Sequence, residues 1–310
     1  MKVTDLPKQE YIFPGNRTCA GCGAALAYRH ALKALGPKTI VVVPAGCVTV
    51  LHGMYPRSSV NVPVLHTAFE TTGAAASGVV AALEIQGRTD ITVVGWAGDG
   101  GTADIGIQAL SGAAERNTNY IHVCYDNEAY MNTGTQRSGA TPCGVRTSTT
   151  PGMGKAEPKK DMVMIMAAHR IPYVATACAS YPLDLYAKFV KAKGILGTKY
   201  IHILCPCGPG WGYPPEETIE VGRLAVRTGI FALFEIENGR VRLSGPSRRE
   251  PTYEVEAYLK TQRRFRDLTP EQVESIRRGA REYRQLLRSM PPADADTASS
   301  NAGIAPDPDS

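Results

Sequence analysis

The chain has 310 residues, of which 43% are hydrophobic and 20% charged, with a formal net charge of +5. This is a globular composition, long enough for one large α/β core or two smaller ones. The positive charge is mild and dispersed, which speaks against a nucleic-acid surface. No run of eighteen apolar residues could span a membrane, and the N-terminus lacks the apolar core of a signal peptide.

In chain order, residues 1–18 read as an extended arm carrying Pro7 and Pro14. A helix is expected over 24–35, stopped by Gly36-Pro37, and a β-branched strand over 39–43. Residues 67–83 are rich in Ala and Gly with helical character, and 91–97 form an apolar, β-rich strand. That strand runs into Gly98-Asp99-Gly100-Gly101, followed by helical spacing over 102–116 and a second apolar strand over 120–125. Asp126-Asn127 ends it, and 128–160 is a long Gly/Thr/Ser/Pro loop of the kind that usually carries function. Helices over 161–169 and 183–193 alternate with strands over 173–177 and 200–204, continuing a parallel sheet. Residues 231–244 read as a hairpin about Asn238-Gly239, and 255–262 and 270–288 as helices. The Arg263, Arg264, Arg277, Arg278 and Arg281 group near the end decorates one helix face. The Pro/Ala/Asp/Ser tail from 291 has almost nothing to bury and is expected to be disordered.

The strand–glycine turn–helix–strand unit around Asp99 is the most informative segment. In a parallel sheet both strand tips lie at the carboxyl edge, where open α/β folds bind ligands. Glycines there allow a ligand close to the backbone, and the helix N-terminus beyond them favours a phosphate. Asp99 and the Asn127 side chain are hard oxygen donors suited to Mg²⁺, so the unit reads as a holder for a magnesium-bridged diphosphate. The bland alternative is a tight turn alone. A dinucleotide fingerprint fits poorly, because Gly98, Gly100 and Gly101 lack the GxGxxG spacing and no acid ends the next strand in the ribose-binding manner.

Eight cysteines without an export signal argue against a disulfide scaffold and for metal or cluster ligation in a reducing cytoplasm. Cys19 and Cys22 form a CxxC before the first helix, Cys47 follows the first strand, and Cys205-Pro206-Cys207 follows the strand over 200–204. Three readings stay open: a [4Fe–4S] cluster on four cysteines, a structural zinc, or a thioredoxin-like CxxC that would explain two of them. Cys124, Cys143 and Cys178 read as ordinary buried or loop residues.

Taken in order, these segments resemble the β subunit of the 2-oxoacid:ferredoxin oxidoreductases of the pyruvate synthase type. The resemblance rests on CAGCGAALAYR from Cys19, Gly46-Cys47, the stretch 66–76 with Phe69-Glu70, the GDGG unit, DNEAYMNTG from Asp126 and PKKDM from Pro158. Pro206-Cys207 with Gly210-Trp211, and Tyr258-Leu259-Lys260 with Arg264-Phe265, complete it. The spacing of GDG and the Asn-bearing segment resembles that of the thiamine diphosphate (ThDP) motif.

The resemblance implies a doubly wound, mainly parallel α/β sheet of the ThDP-binding type, with a small β-hairpin and C-terminal helices. The division it suggests is an arm over 1–18, a ThDP- and cluster-binding domain over 19–215, a C-terminal extension over 216–290 and the tail over 291–310. It implies ThDP held by Gly46, Gly98, Asp99, Gly100, Gly101, Asn127, Asn132 and Thr133, with Asn132 as the polar residue near the reacting thiazolium. Mg²⁺ is then held by Asp99, Asn127 and the Ala129 carbonyl, and a proximal [4Fe–4S] cluster by Cys19, Cys22, Cys47 and Cys207, with Cys205 a neighbour. Ala24 stands where single-chain members carry an acid. The implied activity is CoA-dependent oxidative decarboxylation of a 2-oxoacid, pyruvate favoured, with electrons passing to ferredoxin or another low-potential acceptor. The implied partners are an α subunit supplying the glutamate that activates ThDP, together with γ and ferredoxin-like δ subunits; no nucleic acid or membrane is involved, and the setting is cytoplasmic. Two alternatives remain: the same chemistry on a branched-chain or aryl 2-oxoacid such as phenylglyoxylate, or a non-catalytic electron-transfer or zinc subunit.

Overall fold

The structure, a computed structural model, describes residues 2–54 and 56–293. An eight-stranded sheet forms its centre, in the order β2-β1-β3-β4-β6-β5-β7-β8. The strands are β1 (Thr39–Pro44), β2 (Val64–Thr67), β3 (Thr92–Gly98), β4 (Ile121–Asp126), β5 (Tyr173–Cys178), β6 (Lys199–Leu204), β7 (Phe234–Glu237) and β8 (Arg240–Leu243). The first six run parallel, while β7 pairs antiparallel with β5 and β8 antiparallel with β7. The expected hairpin therefore extends the main sheet. Asn238, at φ 48, and Gly239, at φ 78, supply the left-handed pair that its turn requires.

Alternate strand residues serve opposite faces. Val41, Val43, Val94, Trp96, Ile121 and Val123 enter one core with helices α1 (Gly23–Leu35) and α6 (Pro182–Lys193). Val42 and Val93 face the other way, toward α3 (Thr72–Ile85) and α4 (Ile107–Glu115). Each fully buried Val or Leu of this kind stabilises the fold by about 1.5–3 kcal/mol relative to exposure. Two-sided burial explains why the strand sequences are apolar runs and not alternating ones.

Three segments depart from the sequence reading. The stretch over 67–83 is preceded by edge strand β2, and its helix starts at Thr72. The helix after the glycine turn opens with a π-helical turn at Gly100–Asp104 before α4 begins; a Cβ at Gly106 would meet the Gly101 carbonyl oxygen at 2.0 Å, so the wide turn needs glycine there. Helices α2 (Cys47–His52), α7 (Gly208–Trp211) and α8 (Thr218–Arg227) carry no helix expectation; the first two are too short for a periodic signal. Between α4 and α6 lies α5 (Met162–Ala168), and the chain closes with α9 (Val255–Leu259) and α10 (Pro270–Ser289). The expected tail over 291–310 falls outside the described residues from 294 onward. No helix among the described residues is long and apolar enough to cross a membrane.

The connections set the site. From β1 the chain moves outward to β2, and it then returns across β1 to β3, so the winding direction reverses between β1 and β3. A crevice opens at such a switch point, beyond the carboxyl ends of the strands. Gly46 lies just beyond the end of β1, and Gly98-Asp99 stand at the end of β3.

Candidate active site

Asp99 is buried at the tip of β3, and Asn127 is buried just past β4. One terminal atom of the Asn127 amide lies 3.0 Å from Asp99 Oδ1 and 2.9 Å from the Ala129 carbonyl oxygen. With its nitrogen turned there, the amide donates to both oxygens. With its oxygen turned there, three acceptors converge, an arrangement that only a cation satisfies. An octahedral Mg²⁺ with ligands at roughly 2.0–2.1 Å places neighbouring oxygens about 2.9 Å apart, so both separations fit that ion.

The surroundings hold this triplet. Ser138 Oγ donates to Asp99 Oδ2 at 2.5 Å. Burial, reinforced by the nearby Asp126 carboxylate, pushes the Asp99 carboxyl well above its usual range; a cation there would relieve that cost. Trp211 Nε1 donates to the Asn127 carbonyl at 2.8 Å. The residues flanking Asn127 are both buried acids. Asp126 meets Lys159 Nζ at 2.5 Å and His202 Nε2 at 2.8 Å. Burial opposes its charge, but Lys159 and His202 outweigh burial and hold its carboxyl below the usual range. Glu128 meets Lys159 at 2.7 Å and Arg264 at 2.6 Å. Glu128 also has φ 67, left-handed for a non-glycine residue, and its amide donates to Asp126 Oδ1 at 2.9 Å. That reversal brings the Ala129 carbonyl back toward Asp99.

Two glycines show why side chains are absent from the crevice. A Cβ on Gly100 would meet the Tyr130 ring at 2.4 Å, and one on Gly46 would meet the Tyr125 hydroxyl at 2.8 Å. The Tyr130 hydroxyl in turn donates to Asp104 at the end of the π-turn at 2.7 Å. Asn132 and Thr133 are exposed on the next turn, with Thr133 Oγ1 donating to Gln136 Oε1 at 2.6 Å.

The cysteines come from three loops on the same edge. Burial, with the charges of Cys207, Cys22, Cys19 and Asp99 added, pushes the Cys47 thiol up to about 12. Burial likewise raises Cys207 to about 11, with Cys22 and Cys19 adding to it. Cys22 is raised by burial and by Cys19. The four thiols therefore share one electrostatic neighbourhood, and Cys47 links it to Asp99. Backbone amides offset part of the cost: Ala25 donates to Cys22 Sγ at 3.4 Å, and the Gly210 amide does the same for Cys207. Such amide–sulfur bonds suit thiolates that carry charge. Among the described residues no group of three or more His, Cys, Asp or Glu is drawn tightly enough to hold one metal ion. Cys205 is fully buried within the apolar core, and Cys19 is exposed beside a cleft of about 540 Å³.

Four contributors went unread in the sequence: Ser138, Lys159, Arg264 and Tyr125. Lys159 and Arg264 stood inside the matched segments PKKDM and Arg264-Phe265 without a role, while a serine in a Ser/Thr/Gly loop gives no local signal.

A profile for the thiamine pyrophosphate enzyme C-terminal TPP-binding domain matches residues 44–203, which include Gly46, Asp99 and Asn127. The chain is 52% identical to pyruvate synthase subunit PorB of Methanocaldococcus jannaschii, over 93% of this chain and 99% of that one. It is 48% identical to ketoisovalerate oxidoreductase subunit VorB of Pyrococcus abyssi, over 92% and 94%. Among solved structures it is similar to 2-oxoglutarate:ferredoxin oxidoreductase from Magnetococcus marinus, determined with 2-oxoglutarate, coenzyme A and succinyl-CoA bound, at a TM-score of 0.57 and 26% identity over 68% of this chain and 72% of that one. Sequence and fold agree: the chain belongs to the family of 2-oxoacid:ferredoxin oxidoreductase β subunits, thiamine-dependent oxidoreductases.

Proposed function

We propose that this chain is the subunit of a pyruvate-oxidising 2-oxoacid:ferredoxin oxidoreductase that holds both ThDP–Mg²⁺ and a proximal [4Fe–4S] cluster. The observation that carries the reading is the convergence of Asp99, Asn127 and the Ala129 carbonyl beside four electrostatically coupled thiols. In this reading Asp99, Asn127 and Ala129 bind the cation, and the crevice kept open by Gly46 and Gly98–Gly101 takes the diphosphate. Asn132 and Thr133, on an exposed turn, face the reacting end when a partner covers it. Cys19, Cys22, Cys47 and Cys207 ligate the cluster, with Cys19 on the side an acceptor can approach.

When bound, ThDP supplies an electron sink for decarboxylation, and the cluster takes the electrons one at a time. The chain's own groups orient and exclude. Ser138 fixes the Asp99 carboxylate, Trp211 and Glu128 fix the Asn127 segment, and buried β3 and β4 keep water from beneath the crevice. PorB and VorB are named as subunits, so the chain works within a multi-subunit complex. An α subunit supplies the activating glutamate, γ and ferredoxin-like δ subunits complete the assembly, CoA accepts the acyl group, ferredoxin takes the electrons, and the setting is cytoplasmic. The relation to VorB supports a branched-chain 2-oxoacid as the second reading of the substrate.

The test is the purified complex, analysed for thiamine, magnesium, iron and sulfide and assayed on a panel of 2-oxoacids with CoA and a low-potential dye. ThDP, four irons per copy of this chain in addition to those of the ferredoxin-like subunit, and highest kcat/KM on pyruvate are expected. A colourless zinc protein without ThDP would overturn the proposal.

A further inference from the structure

Arg264 lies outside the segment matched by the thiamine profile and two turns of chain past α9, yet it reaches the middle of the site. Its side chain is only 4% exposed. The guanidinium stacks over the Trp211 ring at 3.8 Å from the centroid and pairs with Glu128 Oε2 at 2.6 Å. It also donates to Gln262 Oε1 at 2.9 Å and to the Tyr258 hydroxyl at 3.1 Å, so its fork is fixed on several sides.

The two main partners belong to different halves of the site. Glu128 follows Asn127 directly. Trp211 belongs to the Cys207 loop, its amide donating to the Cys207 carbonyl at 2.8 Å, while its indole N–H reaches back to the Asn127 carbonyl at 2.8 Å. Cys207 packs, partly buried, against the apolar cluster that contains Trp211. One buried cation thus sits between the loop facing the metal and a loop carrying a thiolate.

We infer that Arg264 is a positioning residue that clamps the Asn127 loop to the Cys207 loop and, through its fixed positive charge, raises the reduction potential of the centre bound at Cys207. The inference rests on the proposed function, because it concerns the cluster which that reading assigns. Reducing a [4Fe–4S] centre adds one electron and one negative charge without breaking a bond; the electron comes from the 2-oxoacid being oxidised. A nearby buried cation favours the more negative, reduced form, and a nearby carboxylate disfavours it.

The pair Arg264 and Glu128 therefore has opposite effects on one observable. The experiment is an EPR-monitored redox titration of the purified complex, alongside equilibrium binding of ThDP–Mg²⁺. Arg264→Gln should lower the reduction equilibrium constant about ten-fold, ~59 mV for one electron, and weaken ThDP binding. Glu128→Gln should move the potential upward. Arg264→Lys keeps the charge without the fork, so its potential should stay near that of the unaltered complex while ThDP binding weakens. A purely structural role would shift the potential of both neutralised variants the same way or not at all, and that result overturns the inference. If Arg264→Gln does not assemble, the sign of the Glu128→Gln shift decides. A complex that holds no cluster removes the functional reading and this inference with it; a cluster indifferent to Arg264 and Glu128 removes the inference alone.

Discussion

Ser138 Oγ stands 2.5 Å from Asp99 Oδ2 across a separation of 39 residues, and it joins the long loop after β4 to the tip of β3. The same hydroxyl accepts from the Ala140 amide at 3.2 Å, so the loop's own backbone orients the donor. Removing a hydrogen-bond partner of a metal-facing carboxylate typically costs 10–100-fold in affinity. Ser138→Ala should weaken Mg²⁺–ThDP binding by about ten-fold, read by calorimetry, with the cluster's absorbance unchanged. Unaltered binding would show that Asp99 needs no such support.

Asp99 itself is a liability while no cation faces it. Burial and the Asp126 charge raise its carboxyl pKa, so the fold favours the protonated acid. Its stabilising contribution is complete below the ordinary aspartate pKa of about 3.9 and is lost as pH rises through the folded value. Asp99→Asn should therefore raise the melting temperature of the cofactor-free chain at pH 8. It should also abolish the stabilisation that Mg²⁺–ThDP confers. A melting temperature that falls instead would place a cationic partner beside Asp99.

The two cysteines of the CPC segment should behave differently. Cys207 shares the electrostatic neighbourhood of Cys19, Cys22 and Cys47, whereas Cys205 is packed in the core below α1. Cys207→Ser should remove four irons per copy of this chain from the complex and leave ThDP bound. Cys205→Ser places a hydroxyl in an apolar surround, at a cost of about 1–3 kcal/mol, and should retain those four irons. Iron analysis of both proteins settles the assignment; the reverse pattern would make Cys205 the ligand.

His52, buried in α2 with Nε2 3.1 Å from the Tyr28 hydroxyl, gives the fold an acid limb. Burial, with His66 adding, lowers its pKa from 6.5 to about 4. Between those values the unfolded chain binds more protons, so this stabilisation is complete above pH 6.5 and fades as pH falls toward 4. The full swing is on the order of 3 kcal/mol. Burial of His122, whose pKa falls to about 3, acts in the same sense. Denaturant melts of His52→Gln at pH 7, 6, 5 and 4.5 should show a shallower fall than the unaltered chain; equal slopes would exclude His52 as a source.

The strands and the glycine turn were readable because their cause is local: β-branched runs, turn residues and a motif contained within about thirty positions. Helix α8 carries apolar residues at 219, 221, 224, 225 and 226, and the signal was there to be used. The π-turn was not readable, since its width comes from the close approach of Gly101 and Gly106 backbones. Ser138, Lys159 and Arg264 act across 39, 33 and 136 residues of chain on Asp99, Asp126 and Glu128. No periodicity links such pairs; only the closed sheet and the folded loop bring them together. A resemblance can mark those positions, but it assigns them no partner.

Glu128 holds a backbone shape for which glycine is the favoured residue, and an ordinary side chain there costs roughly 1–2 kcal/mol. Glycine would ease that strain and simultaneously unhook Arg264, a buried cation, from its anion, and would leave half-buried Lys159 with Asp126 alone. Anyone engineering thermal tolerance by relaxing unusual torsions should leave this position alone, because the local discomfort is what keeps the two halves of the catalytic rim in register.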